Sequence, residues 1–209
     1  EFRRVLFRSR VFGTNGLLSI LEEKPAYAEH PKVKQYMEFL KKMASGTVVV
    51  TSGRTEEQKT ADKKAKDAFI GQQFTDFEMA DTLGNMHKLS EYVGNGHWLF
   101  VDFWASWCGP CRREMPNVVA AYEKFHTKGL DIVGVSLDGQ KEPWVKAIVS
   151  LKMPWVHLSD LAGWNSLGAK TYDIKGIPAN ILLDGEGNII DIDLRDYMLE
   201  EKLARIFGE

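Results

Sequence analysis

The apolar residues of this chain follow two different rhythms. In the first third they recur at helical spacing. Val33, Tyr36, Met37, Leu40 and Met43 repeat as i, i+3, i+4, i+7, the period of one helix face. Pro31 suits the first turn of that helix and Ser45-Gly46 its stop. Residues 47–51, Thr-Val-Val-Val-Thr, are a short β-branched run with no assigned place. Thr55 and Gln58 have capping-box spacing. The stretch behind them, to about Phe69, is rich in Lys, Asp and Ala, and reads as a solvated or linker helix rather than a dedicated partner-binding one.

From Gly71 onward short apolar runs alternate with amphipathic stretches. Strands are predicted at 74–79 and 87–89, around a turn at Gly84-Asn85, and at 98–104, 130–137 and 155–158. Two more, at 179–184 and 189–194, are joined by the hairpin turn Gly185-Glu186-Gly187-Asn188. Helices are predicted at 111–127, interrupted at Pro116, and at 143–151, with Trp144, Ile148 and Leu151 on one face. Two further helices are expected at 163–172 and 198–207. Such alternation predicts an α/β fold, a central mixed sheet with helices on both faces.

Composition changes this picture little. The chain has 209 residues, 44% hydrophobic and 27% charged, with net charge −2, enough for one domain and a second piece. That charge balance gives no reason to expect nucleic acid as a partner. No run approaches the 18 apolar residues that would predict a membrane span. Residues 1–9 are basic without a continuous apolar stretch, so they do not read as a signal peptide. They look like a translated sequencing adapter and are expected to be non-native.

The chemistry sits in Trp107-Cys108-Gly109-Pro110-Cys111, which holds both cysteines of the chain and follows the run 98–104. The loop between them is too short to gain much chain-entropy stabilisation, so a redox role is expected rather than a staple. Cys108 falls at a helix N-terminus, where free N–H groups and the dipole favour a thiolate by roughly 0.3–2 kcal/mol. At about 1.36 kcal/mol per pKa unit, that can bring a thiol of ~8.5 close to neutrality. Cys108 is therefore the expected nucleophile and Cys111, one turn further in, the resolving thiol. Cys111 needs a base, and two are visible. Asp102 lies in the apolar strand, where burial should raise its pKa. Glu114 follows Cys111 by three residues on the same helix face. Ile177-Pro178, just before a strand, would lie beside the thiols in a Cys-x-x-Cys fold and offer backbone to an extended substrate. Trp107, Gly109, Pro110, Ile177 and Pro178 are the residues expected to meet a substrate.

Residues 74–207 resemble the thioredoxin superfamily, and more closely the TlpA-type thiol-disulfide oxidoreductases of bacterial envelopes. The likeness rests on the run from Val101 to Cys111, on Arg112-Arg113-Glu114-Met115-Pro116, on the run from Ile132 to Asp138 and on Gly176-Ile177-Pro178. It implies a thioredoxin-like domain over 71–209, with the strand and helix around 143–151 as the insertion of the TlpA branch. It further implies that Pro178 is cis, that Cys108 is the exposed nucleophile, that Asp102 matches the buried acid of thioredoxins and that Glu114 matches the active-site acid of TlpA-type reductants. Residues 10–70 would be the truncated remnant of a larger N-terminal domain. The implied function is reduction of envelope-protein disulfides, with an upstream thiol donor, in the periplasm or cell envelope. No cofactor beyond the Cys108–Cys111 disulfide is expected.

Three other readings compete. A thiol peroxidase on the same scaffold would need a lone cysteine preceded by Pro and Thr, where this chain has Ala105-Ser106-Trp107. Metal binding would need more than two thiolates, and His87, His97, His126 and His157 show no ligand spacing. A non-redox binding or chaperone module would have little use for both cysteines and both acids, although Trp104, Trp107 and Trp155 could make an apolar docking surface.

Overall fold

A computed structural model describes residues 31–45, 56–94 and 96–208. The chain divides into two compact units, residues 1–60 and 61–209. In the first, helix α1 (Pro31–Ala44) starts at the expected proline and buries Val33, Met37 and Leu40. Helix α2 (Glu56–Asp67) runs across the boundary, with residues 61–67 in the second unit, and is largely exposed along its described side chains, as its composition predicts. The expected segments at 1–9 and 47–51, and Thr55 of the capping box, lie outside the described residues.

The second unit is built on β3 (Trp98–Trp104), whose seven residues lie between two partners and are buried almost throughout. That is why the run is apolar at successive rather than alternate positions. Strand β4 (Leu130–Ser136) pairs parallel with β3, and β5 (Val156–Leu158) parallel with β4. On the other side β6 (Ala179–Leu183) and β7 (Ile189–Ile192) continue antiparallel, giving the order β5-β4-β3-β6-β7. The mixed sheet is the one expected.

Helix α3 (Gly109–Phe125) leaves the end of β3 and buries Cys111, Met115, Val118, Ala121 and Phe125, a single stripe facing the sheet. The expected interruption at Pro116 does not occur. Proline removes one intrahelical hydrogen bond, but the buried residues on both sides of it anchor the two halves to one core. Helix α4 (Lys141–Ser150) buries Trp144 and Ala147. Helix α5 (Leu167–Thr171) packs so closely that a Cβ on Gly168 would lie 3.0 Å from Val135 Cγ1. Helix α6 (Tyr197–Phe207) closes against α3, where Phe207 stacks on Phe125. Tyr122 of α3 meets Trp155, beside His157 of β5. His157 shares the face of its register partner Gly134, whereas Val135 points to the opposite face. Helices therefore cover both sides.

Two expected elements are corrected. The strand at 74–79 forms only as β1 (Glu78–Ala80), paired with β2 (Met86–Lys88). Upstream the backbone bonds elsewhere: Phe74 N–H to the Gly187 carbonyl, Thr75 N–H to the Tyr172 hydroxyl and Phe77 N–H to the Asp76 carboxylate. The helix at 163–172 is split into a 3-10 turn, Gly163–Asn165, and α5 by Ser166, whose ψ of 134° is extended. Among the described residues no helix is long and apolar enough to cross a membrane.

Candidate active site

Strand β3 delivers the chain to its C-terminal edge, where residues 105–108 turn into α3. The turn is pinned by Asp138, a buried carboxylate just past β4. It accepts the Ser106 N–H at 2.9 Å, the Ser106 hydroxyl and the Ser136 hydroxyl. Cys108 is the N-cap of α3, and its sulfur accepts the Cys111 N–H at 3.2 Å. The two cysteines are joined in a disulfide. A helix N-terminus with an N–H aimed at the sulfur is a favourable place for the negative charge of a thiolate.

Cys108 is 4% exposed and Cys111 is fully buried, which corrects the expectation of an exposed nucleophile. The Cys108 sulfur lies against the helix end, bonded to Cys111 and facing its N–H. Exposure passes instead to Trp107, at 54%. Gly109 and Pro110 form the first, exposed turn of α3, with Arg113 Nη1 lying 3.5 Å from where a Cβ on Gly109 would sit.

Asp102 is buried in β3, and its Oδ2 has no hydrogen-bond partner among the described residues. Burial pushes its pKa up to about 7, the Glu114 charge adds to the rise and the Arg195 guanidinium opposes it. Glu114 is half-buried on α3 and accepts the Asp196 N–H at 2.7 Å. The peptide bond Ile177–Pro178 is cis. Because Ala179 of β6 stands opposite Phe103 of β3, Pro178 reaches the same sheet edge as the cysteine turn. Arg195 donates through Nη2 to the Pro178 carbonyl.

The sequence profile of the AhpC/TSA family matches residues 70–192. The chain belongs to the AhpC/TSA family. It is 31% identical over 125 residues to the thiol-disulfide oxidoreductase ResA of Bacillus cereus, covering 58% of this chain and 68% of that protein. The thioredoxin domain of a thiol-disulfide oxidoreductase from Bacteroides vulgatus superposes with a TM-score of 0.61 at 32% identity, covering 66% of this chain and 97% of that one. A thiol-disulfide oxidoreductase from Bacteroides fragilis gives 0.60 at 29% identity, with coverages of 65% and 99%. This AhpC/TSA member is a thiol-disulfide oxidoreductase with a thioredoxin-like fold, and the TlpA-type resemblance holds.

Within this AhpC/TSA scaffold three features escaped the sequence. Arg195 comes from the loop after β7, which Asn180 anchors by accepting the Leu194 N–H and donating to its carbonyl, each at 2.8 Å. Asp138 was visible only as part of a family string. The third is a buried polar row across the sheet, where His157, Gly134, Asp102 and Asn180 are register partners. A Cβ on Gly134 would lie 2.4 Å from His157 Nδ1 and 3.2 Å from Trp104 Nε1, so only glycine leaves room for the imidazole. Burial holds the His157 pKa down at about 3, so the ring is neutral at physiological pH, and neither ring nitrogen has a hydrogen-bond partner among the described residues. Among the described residues no group of three or more His, Cys, Asp or Glu is arranged to hold a metal.

Proposed function

We propose that the protein is a disulfide reductase acting on other proteins through a mixed disulfide. The observation that carries this reading is the Cys108 sulfur capping α3, with the Cys111 N–H aimed at it. In the reduced protein the Cys108 thiolate attacks a substrate disulfide. A Cys108–substrate bond forms, and the other substrate sulfur leaves as a thiolate. Cys111 gives its proton to Asp102 and attacks the Cys108 sulfur. The Cys108–Cys111 disulfide forms and the second substrate sulfur departs. Two electrons pass to the substrate, and an upstream thiol donor restores the dithiol.

Asp102 is the base in this scheme because it is buried and poised near neutrality. Glu114 acts on it through charge, having one oxygen engaged by Asp196. The segment Ile177-Pro178 presents backbone to the substrate, with Trp107, Gly109 and Pro110 opposite. The reaction belongs in the cell envelope, where proteins carry disulfides to be reduced.

The test is the reduction potential of the Cys108–Cys111 pair in dithiothreitol or glutathione buffers. A value near the thioredoxin end of the range, about −270 mV, supports a reductase, whereas one near −120 mV makes the protein a disulfide donor and overturns the direction.

A further inference from the structure

Two exposed tryptophans stand together at the cysteine turn. Trp107, next to Cys108, is 54% exposed, and Trp164 is 50% exposed. Their ring centroids are 6.1 Å apart with the planes inclined at 55°, an open angle rather than a closed stack. Leu161 and Leu167, on either side of Trp164 in the chain, are also exposed. An apolar cluster left in water marks a contact site more often than chance.

The loop that carries Trp164 is held in place. The Asp160 carboxylate accepts the Ala162 N–H at 3.1 Å and the Leu167 N–H at 2.7 Å, closing the loop on itself. Leu161, a non-glycine residue, is kept at φ 54°, with its N–H on the Ser159 hydroxyl. Conformations of this kind persist only where the surroundings over-determine them, and they gather at ligand clamps. The Ser159 hydroxyl in turn donates to the Ser136 carbonyl at 3.0 Å, and the Ser136 hydroxyl donates to Asp138 at 2.7 Å. Asp138 also holds the turn that bears Trp107. One hydrogen-bonded chain thus fixes both tryptophans relative to each other and to the disulfide.

What covers this patch follows from the chemistry beside it. Cys108 is itself nearly covered, so a substrate sulfur reaches it only if the residues around that sulfur press on the surface next to Cys108. Arg113, over Gly109, makes no ion pair among the described residues and adds an unneutralised positive charge there.

We infer that Trp107 and Trp164 form a two-ring clamp for an extended, cysteine-bearing segment of a partner protein, one with an apolar residue beside that cysteine and an acidic residue close by for Arg113. This rests on the disulfide-reductase reading above and adds the substrate class to it. Trp164 grips the substrate without touching the reacting sulfurs, so its loss weakens peptide capture and leaves the exchange chemistry alone.

The experiment uses the full reduced chain and three oxidants. Two are ten-residue peptides, each with its single cysteine in a mixed disulfide with glutathione. One has Leu and Glu beside the cysteine, and the other has Ser and Lys. The third oxidant is 2-hydroxyethyl disulfide, too small to span from Cys108 to Trp164. Each turnover converts the dithiol to the Cys108–Cys111 disulfide and releases two thiols, counted by chromatography of quenched samples. The wild type should reduce the Leu/Glu peptide about tenfold faster than the Ser/Lys peptide, and Trp164→Ala should abolish most of that advantage. Trp164→Phe should keep most of it, and the rate with 2-hydroxyethyl disulfide should not change in either variant. An unchanged peptide preference in Trp164→Ala, or an equal loss on the small disulfide, overturns the clamp. Failure of the wild type to reduce any of the three sinks the reductase reading itself, and the clamp with it.

Discussion

Asp102→Asn should make the oxidised protein more stable, and only at the pH where the carboxylate would be charged. The folded pKa of Asp102 is about 7 against an ordinary 3.8. An acid whose folded pKa is raised binds its proton more tightly in the native state. Stability is therefore greatest below pH 4, falls as pH rises through the window from about 4 to 7, and is level above it. At ~1.36 kcal/mol per unit, the whole window is worth about 4 kcal/mol, of which roughly 2.5 kcal/mol lies between pH 5 and 8.5. The assay is urea unfolding of wild type and variant, both oxidised, at those two pH values. Groups uncoupled from Asp102 contribute alike in the two proteins, so the difference of differences reads Asp102 together with its coupling to Glu114. The gain from Asp102→Asn should be larger at pH 8.5 by about that 2.5 kcal/mol. An equal pH dependence in the two proteins would refute the assignment of a buried acid titrating near neutrality. The same variant should slow the resolving step, leaving mixed disulfides to accumulate on Cys108.

Glu114→Gln and Arg195→Met should move the acid limb of the reduction rate in opposite directions. Loss of the Glu114 charge lowers the Asp102 pKa and shifts the midpoint down; loss of the Arg195 charge shifts it up. A pH–rate profile reads both, and shifts of the same sign would refute the scheme. Gly134→Ala should destabilise by about 1–3 kcal/mol, because its Cβ would fall 2.4 Å from His157 Nδ1. The double variant with His157→Ala should recover part of that loss, and urea midpoints that simply add would show that the two do not touch.

What could be read from the sequence was what one contiguous segment decides. Strand β3 was visible because burial on both faces leaves an unbroken apolar run, with Asp102 as its single offence. Cys108 at a helix start and Pro178 at a strand start follow from local chemistry. Several of the misses depend on distant partners. Residues 74–77 look like a strand and lose that character to Gly187, Tyr172 and their own Asp76. Pro116 looks like a break and is overruled by the core beneath α3. Arg195 and Trp164 carry no local signal, since a lone arginine in a loop and a lone tryptophan near a glycine occur everywhere. Their significance comes from the sheet, which brings residues 178, 195 and 164 to the edge where residue 108 already stands.

The loop from Asp193 to Asp196 shows how the electrostatics of such a site can be set from a distance. Two of its four residues, Asp193 and Asp196, hold positive φ without being glycine. Each is kept there by bonds to a different part of the molecule. Asp193 pairs with Lys66 of α2 and with Arg195, and the Asp196 N–H meets Glu114. The loop thus fixes at once the charge that raises the Asp102 pKa and the charge that lowers it. A small displacement would change both distances together, so the pKa of the base depends on the conformation of this four-residue loop. Lys66→Met, far from the sulfurs in sequence, should on this reasoning alter the pH midpoint of reduction. An unchanged midpoint in that variant would show that Arg195 and Glu114 are held independently of α2.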